Sequence, residues 1–223
     1  RRSDGTPAFF FCNAIDDALM GVTHVLRGED HLTNTPRQIL LLQAVALTLP
    51  RYGHIPLIVG DDGAPLSKRH GARSLRELRD AGYLPEAVAN YLADLGHHYD
   101  THPYMEPAAL AAGFELGRLG RAPARYDETQ LLHWQRQAVL HAPVARLWEW
   151  LGTELHARVP ADARHEFMEA IVRANVVFPA DALAWAHVVY ADDWPMEAPA
   201  RAALAGADDE FFIAAVGALE RHA

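Results

Sequence analysis

A polar cluster, Arg27-Gly28-Glu29-Asp30-His31, contains the side chains best suited to bind a small charged ligand. It follows the β-prone run 22–26 directly, and α/β proteins bind ligands at the carboxyl ends of their strands. The guanidinium of Arg27 can hold a carboxylate through two parallel hydrogen bonds. A salt-bridged surface cluster would contain the same residue types, so the local sequence leaves both interpretations open.

The loop Pro65-Leu66-Ser67-Lys68-Arg69-His70-Gly71 is a second candidate site. Lys68 is the only lysine among the 20 basic residues of the chain. A lysine kept in an arginine-rich chain suggests a position that needs a compact ammonium group. Such a group can stabilise the negative charge that develops on phosphate oxygens. A polyphosphate-binding loop and a mobile surface loop both fit this composition.

Strands and helices must position these two segments, and the sequence predicts an α/β part up to residue 73. Thr35 before Pro36 is typical of a helix start, as is Ser74 followed three residues later by Glu77. No strand is predicted after residue 95. Strands are expected over 7–13, 22–26 and 55–59, and helices over 35–47, 74–81, 85–95, 106–112, 127–140, 143–156, 161–174, 179–189 and 208–221.

The composition of the 223 residues is that of a globular protein, half of it hydrophobic, with a net charge of −9. This charge excludes nucleic-acid binding by bulk attraction, so any phosphate contact must come from local clusters such as Arg118, Arg121 and Arg125. An ion-paired, solvated turn is the alternative interpretation of that cluster.

The longest apolar run, 39–49, is too short to cross a bilayer. With a single cysteine, the chain is predicted to be cytoplasmic. The spacing in the histidine-rich stretch 97–102 matches no standard zinc motif, so no metal site is predicted.

Several stretches together resemble the catalytic domain of glutamyl-tRNA synthetase, a class I aminoacyl-tRNA synthetase. The segment 16–38 resembles that family almost letter for letter, and 65–71 resembles its second signature, the Lys-Met-Ser-Lys-Ser-type loop. The resemblance covers nearly the whole chain. Shorter matching segments lie at 82–85, 90–96 and 175–179.

The resemblance implies a fold that combines an α/β part with an all-α part. It places the distal half of a Rossmann-like catalytic domain over 1–73, a helical stem-contact region over 74–150 and the start of an α-helical anticodon-binding domain over 151–223. The first class I signature, of the His-x-Gly-His type, does not occur in the sequence. We therefore expect an internal part of a longer enzyme, without turnover when isolated.

A glutamate pocket follows from the resemblance. Arg27 is implied to hold the side-chain carboxylate of glutamate, and His31 stands beside it. Phe9 occupies a position where some relatives carry tyrosine, so a hydroxyl contact to glutamate would be missing. The implied glutamate-binding residues are Phe9, Asn13, Arg27 and His31.

An ATP site is implied by the same comparison. The backbone of Leu57 and Ile58 would recognise adenine, and Lys68 would stabilise the ATP phosphates, with Ser67 and Lys68 as the catalytic pair. Pro65 stands where the signature usually begins with lysine, which leaves Lys68 as the only ammonium there. The implied ATP-binding residues are Leu57, Ile58, Leu66, Lys68 and Arg69.

The implied reaction has two steps. The α-carboxylate of glutamate attacks the α-phosphate of ATP, assisted by Mg²⁺, and the 3′ end of tRNA(Glu) then accepts the glutamyl group from the adenylate. A monomer without a membrane partner is expected. Three alternatives stay open. One is a glutaminyl-tRNA synthetase, which the helix-rich stretch after residue 100 disfavours. The others are the paralogue that glutamylates queuosine in tRNA and a non-catalytic remnant that binds tRNA or a partner protein.

Overall fold

The structure of the chain, a computed structural model, begins with an α/β part and continues mainly as helices. Within its described residues, no helix combines the length and apolar character needed to cross a bilayer. The α/β part comprises α1 (Phe9–Leu19), β1 (His24–Gly28), a 3₁₀ segment (Glu29–Asn34), α2 (Thr35–Ala44), β2 (Arg51–Ile55) and β3 (Ile58–Val59). The structure describes residues 3–66, 73–100, 103–191, 198–206, 210 and 212–214.

A parallel pair of strands, β1 and β2, carries the polar cluster at its carboxyl end. Parallel neighbours need a crossover connection, which the 3₁₀ segment and α2 supply. Arg27 lies opposite His54 in the register, so their side chains project to the same face of the sheet. The strand predicted over 22–26 and the helix predicted from Thr35 are therefore confirmed, each with shifted bounds.

The strand predicted over 55–59 is interrupted. Proline 56 has no backbone N–H to donate to a strand ladder, and β2 ends immediately before it while β3 begins two residues later. β3 pairs in parallel with β4 (Ala124–Arg125), a strand that the sequence did not predict. Two-residue strands are too short to show an alternating pattern.

The strand predicted over 7–13 is wrong, because these residues begin helix α1. Two aromatic side chains of the run are exposed, Phe9 by 52% and Phe11 by 41%, whereas Ala14 is completely buried. The half-buried Phe10 and the buried Ala14 stand four residues apart, which is helical spacing. The aromatic composition of the run favours a strand, whereas the spacing of its inward-facing residues is helical.

The helices of the remaining chain lie close to the predicted ranges up to α10, except that α7 is broken at Gly152, whose φ of +81° is not helical. Ser74 and Glu77 form the expected capping box, in which Ser74 Oγ accepts from Glu77 N at 3.2 Å and Glu77 Oε2 accepts from Ser74 N at 2.6 Å. α11 was not predicted, and most of the helix predicted over 208–221 lies outside the described residues. The helices are α3 (Leu75–Asp80), α4 (Pro85–Gly96), α5 (Pro107–Ala112), α6 (Glu128–His141), α7 (Val144–His156), α8 (Arg164–Glu166), α9 (Arg173–Asn175), α10 (Pro179–Tyr190) and α11 (Ala198–Ala205). A π-helical segment, Phe167–Val172, joins α8 to α9.

A continuous hydrophobic core extends from Leu78 on α3 to Ala186 on α10. Gln135, fully buried on α6, ties its parts together, because its Oε1 accepts from Leu84 N at 2.9 Å and its Nε2 donates to Val177 O at 2.9 Å. Buried backbone groups that keep such partners avoid a large desolvation cost. The helical part is therefore one packed unit on both sides of residue 150.

Gly82 has no room for a side chain, and we expect Gly82→Ala to destabilise the protein by about 2–4 kcal/mol. Its φ is +91°, and an added Cβ would lie 2.8 Å from Pro179 Cδ. Its carbonyl also accepts from Trp150 Nε1 at 3.0 Å. Urea unfolding measures the change in free energy. Gly96→Ala is the matched control, since its Cβ would meet nothing within 4 Å; equal midpoints for the two variants would contradict the prediction.

Candidate active site

The guanidinium of Arg27 is held in place by neutral acceptors. Its Nη2 donates to Thr35 Oγ1 and to Gln38 Oε1, each at 2.7 Å. Its Cζ lies 5.1 Å from the centroid of the Tyr52 ring, so the cation rests against the face of an aromatic side chain. Both Nη2 hydrogens are engaged, which leaves Nη1 as the donor for an incoming group.

No carboxylate of the described residues forms an ion pair with Arg27. Its Nε is buried and has no hydrogen-bond partner in the described part of the chain. A partly buried cation without a counter-ion is electrostatically unfavourable, and an anionic ligand would relieve that cost. The geometry therefore suits recognition of a carboxylate by a fixed positive charge.

A buried amide joins α1 to this arginine. Gln38 is completely buried, and its Nε2 donates to Phe10 O at 3.1 Å and to Asn13 Oδ1 at 3.2 Å. Asn13 and Arg27, both implied by the resemblance to bind glutamate, thus contact the same side chain. The structure brings them together from two consecutive elements, α1 and β1, through a side chain on α2.

His31 and Phe9 lie together at the same end of the strand pair. Their ring centroids are 5.6 Å apart. His31 Nδ1 lies 3.3 Å from Asn34 Nδ2, and its carbonyl is 3.4 Å from Thr35 Oγ1. Since Thr35 also contacts Arg27, the four predicted glutamate-binding residues belong to one connected group.

Tyr52 and His54 extend the group along β2. His54 Nε2 lies 2.9 Å from Thr35 Oγ1, and the Tyr52 hydroxyl is buried without a partner among the described residues. Burial raises the pKa of Tyr52, and the charge of Arg27 opposes that rise. The phenol therefore stays neutral beside the guanidinium at physiological pH.

The described part of the predicted ATP site lies next to this group. Leu57 N contacts Glu29 Oε1 at 3.5 Å, and Leu66 N donates to Ile58 O at 2.9 Å. A Cβ at Gly28 would lie 3.1 Å from Leu57 Cδ2, so the end of β1 touches the segment predicted to recognise adenine. Ser67, Lys68 and Arg69, the rest of the predicted site, lie outside the described residues.

Sequence reasoning missed four residues of this group: Thr35, Gln38, Tyr52 and His54. A signal for the first two was present, because Thr35, Gln38 and Leu42 are spaced three and four residues apart and form the buried face of α2. Two polar residues on an inward face indicate a buried hydrogen-bond network. No comparable pattern marks β2, whose side chains are of mixed character.

Arg118 has ion-pair partners, which favours the solvated-turn interpretation for that residue. Its Nη1 lies 2.8 Å from Asp100 Oδ1 and its Nε lies 3.4 Å from Glu115 Oε1. Arg121 and Arg125 are exposed. Of the predicted basic cluster, these two arginines are the better candidates for contact with phosphate.

The fold is that of the catalytic domain of a class I aminoacyl-tRNA synthetase. Residues 1–132 match the family described as tRNA synthetases class I (E and Q), catalytic domain, and the chain belongs to that family. A crystal structure of a glutamate tRNA ligase from Elizabethkingia meningosepticum, in complex with its amino acid, superposes with a TM-score of 0.78 at 23% identity. The match covers 94% of this chain and 46% of that one, and it supports the fold alone.

Relatives with much higher sequence identity carry the same name. The chain is 58% identical to glutamate–tRNA ligase 2 of Nitrosococcus oceani over 220 residues, which is 99% of this chain and 46% of that protein. It is 56% identical to glutamate–tRNA ligase 1 of Methylococcus capsulatus over 218 residues, or 98% and 47% of the two chains. The chain thus spans about half the length of these curated relatives.

Proposed function

We infer that the protein containing this chain is a glutamate–tRNA ligase, which activates glutamate with ATP and transfers it to tRNA(Glu). The observation that carries this proposal is Arg27, a cation fixed by Thr35 and Gln38 without an ion-pair partner in the described residues. A site built this way favours an anionic side chain over its uncharged amide, because only the anion compensates the partly buried charge of Arg27. The names of the relatives support the same substrate.

The proposed roles divide between two adjoining sites. Glutamate is bound by Phe9, Asn13, Arg27 and His31, with Arg27 on a carboxylate. ATP is bound by Leu57, Ile58, Leu66, Lys68 and Arg69. Lys68, assisted by Ser67, stabilises the charge that develops on the phosphates as the α-carboxylate of glutamate attacks.

Magnesium enters this proposal as the ion that accompanies ATP. Mg²⁺ in nucleotide sites is usually held by the phosphates and one or two carboxylates. Among the described residues, no three His, Cys, Asp or Glu side chains lie close enough to form a metal site. We propose that the ion arrives bound to the triphosphate, where it would neutralise phosphate charge.

The remaining parts of the proposal concern the whole protein. We propose that residues 1–73 are the distal half of the Rossmann-like part of the catalytic domain, that 74–150 contact the tRNA stem, and that 151–223 begin the anticodon-binding domain. The enzyme works as a cytoplasmic monomer. Arg121 and Arg125 are exposed and suited to contact tRNA phosphates.

ATP–pyrophosphate exchange by the intact protein tests the proposal. We expect exchange that depends on glutamate, measured with and without tRNA, and a glutamyl ester at the 3′ end of tRNA(Glu). Equal exchange with glutamine would contradict the role of Arg27. If no amino acid supports exchange but the protein binds tRNA, the non-catalytic alternative is favoured. Transfer of glutamate to a base of tRNA would favour the queuosine-modifying paralogue.

A further inference from the structure

The orientation of the Gln38 side-chain amide is fixed by its partners. Phe10 O is a carbonyl and can only accept, and the Arg27 guanidinium can only donate. The Nε2 atom must therefore face α1 and the Oε1 atom must face Arg27. Both hydrogens of Nε2 are used, by Phe10 O and by Asn13.

This orientation in turn fixes Asn13. Because Gln38 Nε2 donates, the Asn13 atom that it contacts at 3.2 Å must be the acceptor Oδ1. The Nδ2 of Asn13 is then the atom left over, and within the described residues it has no hydrogen-bond partner. Asn13 is only partly buried, so its free amino group is available to a ligand.

Gln38 controls Arg27 in the same way. Its Oε1 takes one hydrogen of Nη2 and Thr35 takes the other, which leaves Nη1 free. The groups left free on Asn13 and Arg27 are thus all donors. These donors on Asn13 and Arg27 suit a carboxylate, whereas the amide of glutamine would bring its own N–H groups against them.

We propose that Gln38 is a positioning residue that sets which atoms of Asn13 and Arg27 face the amino acid, and so selects a carboxylate over an amide. This inference rests on the proposed function and adds a residue that does not itself touch the substrate. Its role is to determine which atoms of Asn13 and Arg27 remain free to donate hydrogen bonds to the amino acid.

Gln38→Glu separates this role from simple packing, because it keeps the shape and the bond to Arg27 but cannot donate. Asn13 is then expected to turn its amide, donating Nδ2 to residue 38 and presenting Oδ1 to the ligand. The added carboxylate also neutralises Arg27. Both changes disfavour a bound carboxylate and spare an amide.

The experiment measures glutamate KM and the inhibition constant of glutamine in ATP–pyrophosphate exchange by the intact protein. In Gln38→Glu we expect the glutamate KM to rise about 10- to 100-fold, with kcat much less affected. The inhibition constant of glutamine is expected to stay unchanged or to fall. Gln43→Glu is the matched control, since it makes the same change at an exposed position of the same helix. That variant is expected to keep both constants.

Two results would overturn the inference: unchanged constants in Gln38→Glu, or an equal change in both, which indicates general loosening. If that variant fails to fold, Gln38→Met supplies the test, because it keeps the volume and removes the polar atoms. An unchanged glutamate KM in Gln38→Met would then be decisive against it. Absence of exchange in the unmutated protein would overturn the proposed function, and this inference with it.

Discussion

We expect Arg27→Met in the intact protein to raise the glutamate KM of ATP–pyrophosphate exchange by about a hundred- to a thousandfold, with the ATP KM little changed. Breaking a buried charge pair by removing one partner costs about 3–5 kcal/mol, because the other charge is left uncompensated. Here that other charge is the carboxylate of the substrate. Truncation also leaves Gln38 Oε1 and Thr35 Oγ1 without the donor that both share.

Arg51→Met is the matched control for this experiment. Arg51 is exposed on β2, and its register partner is His24, so it lies three residue pairs from Arg27 along the same sheet. It contacts none of the residues proposed to bind glutamate, and its replacement is expected to leave the KM unchanged. Similar effects of the two substitutions would show that positive charge in this region, and not the fixed guanidinium, determines affinity.

Arg27→Lys distinguishes charge from geometry. Lysine keeps the positive charge but has a single terminal nitrogen. It therefore lacks the second nitrogen that in arginine faces the ligand while Nη2 donates to two acceptors. We therefore expect an intermediate KM, between those of the unmutated protein and Arg27→Met. Full activity in this variant would mean that the two 2.7 Å hydrogen bonds do not position the cation.

The parts of the fold that could be predicted from sequence have strong local signals. The capping box at Ser74 and the Thr35-Pro36 pair mark helix starts by side-chain chemistry that acts within one turn. The longer helices of the second half bury one face each, so their hydrophobic period is visible. Those signals do not depend on what packs against them.

The parts that could not be predicted depend on distant partners. β4 exists because Ala124 and Arg125 meet β3, more than 60 residues earlier in the chain. The aromatic start of α1 has strand-like composition, and only its packing against α2 shows which face is buried. Tertiary contacts overrode local propensity in both cases.

The candidate site shows the same division. Arg27 could be named as a candidate from its own sequence context, because polar residues after a strand are well placed to bind a ligand, and the resemblance then implied its role. Gln38 could not be assigned a role, since its importance lies in contacts with Phe10, Asn13 and Arg27. Residues that position others leave a weaker trace in sequence than residues that meet the ligand.

We expect Lys68→Ala in the intact protein to lower the rate of ATP–pyrophosphate exchange by about a hundred- to a thousandfold, with the glutamate KM little changed. Removing one preorganised donor to a developing negative charge typically costs that much in rate. The backbone before the loop supports this position, because Leu66 N donates to Ile58 O at 2.9 Å and the sequence continues from Leu66 into Ser67 and Lys68. In the sequence, Lys68 follows two residues after Leu66, whose backbone bonds to the segment proposed to recognise adenine.

Single-turnover rates and KM values together decide the role of Lys68. If it acts on the transition state, kcat falls and the KM for ATP changes little, whereas a residue that only binds the ground state would raise the KM. Arg76→Ala, an exposed arginine on α3, controls for the loss of one positive charge near the loop in sequence and is expected to keep full activity. Exchange that persists at the unmutated rate in Lys68→Ala would remove the lysine from the mechanism, and phosphate stabilisation would then have to come from arginines and the magnesium of ATP.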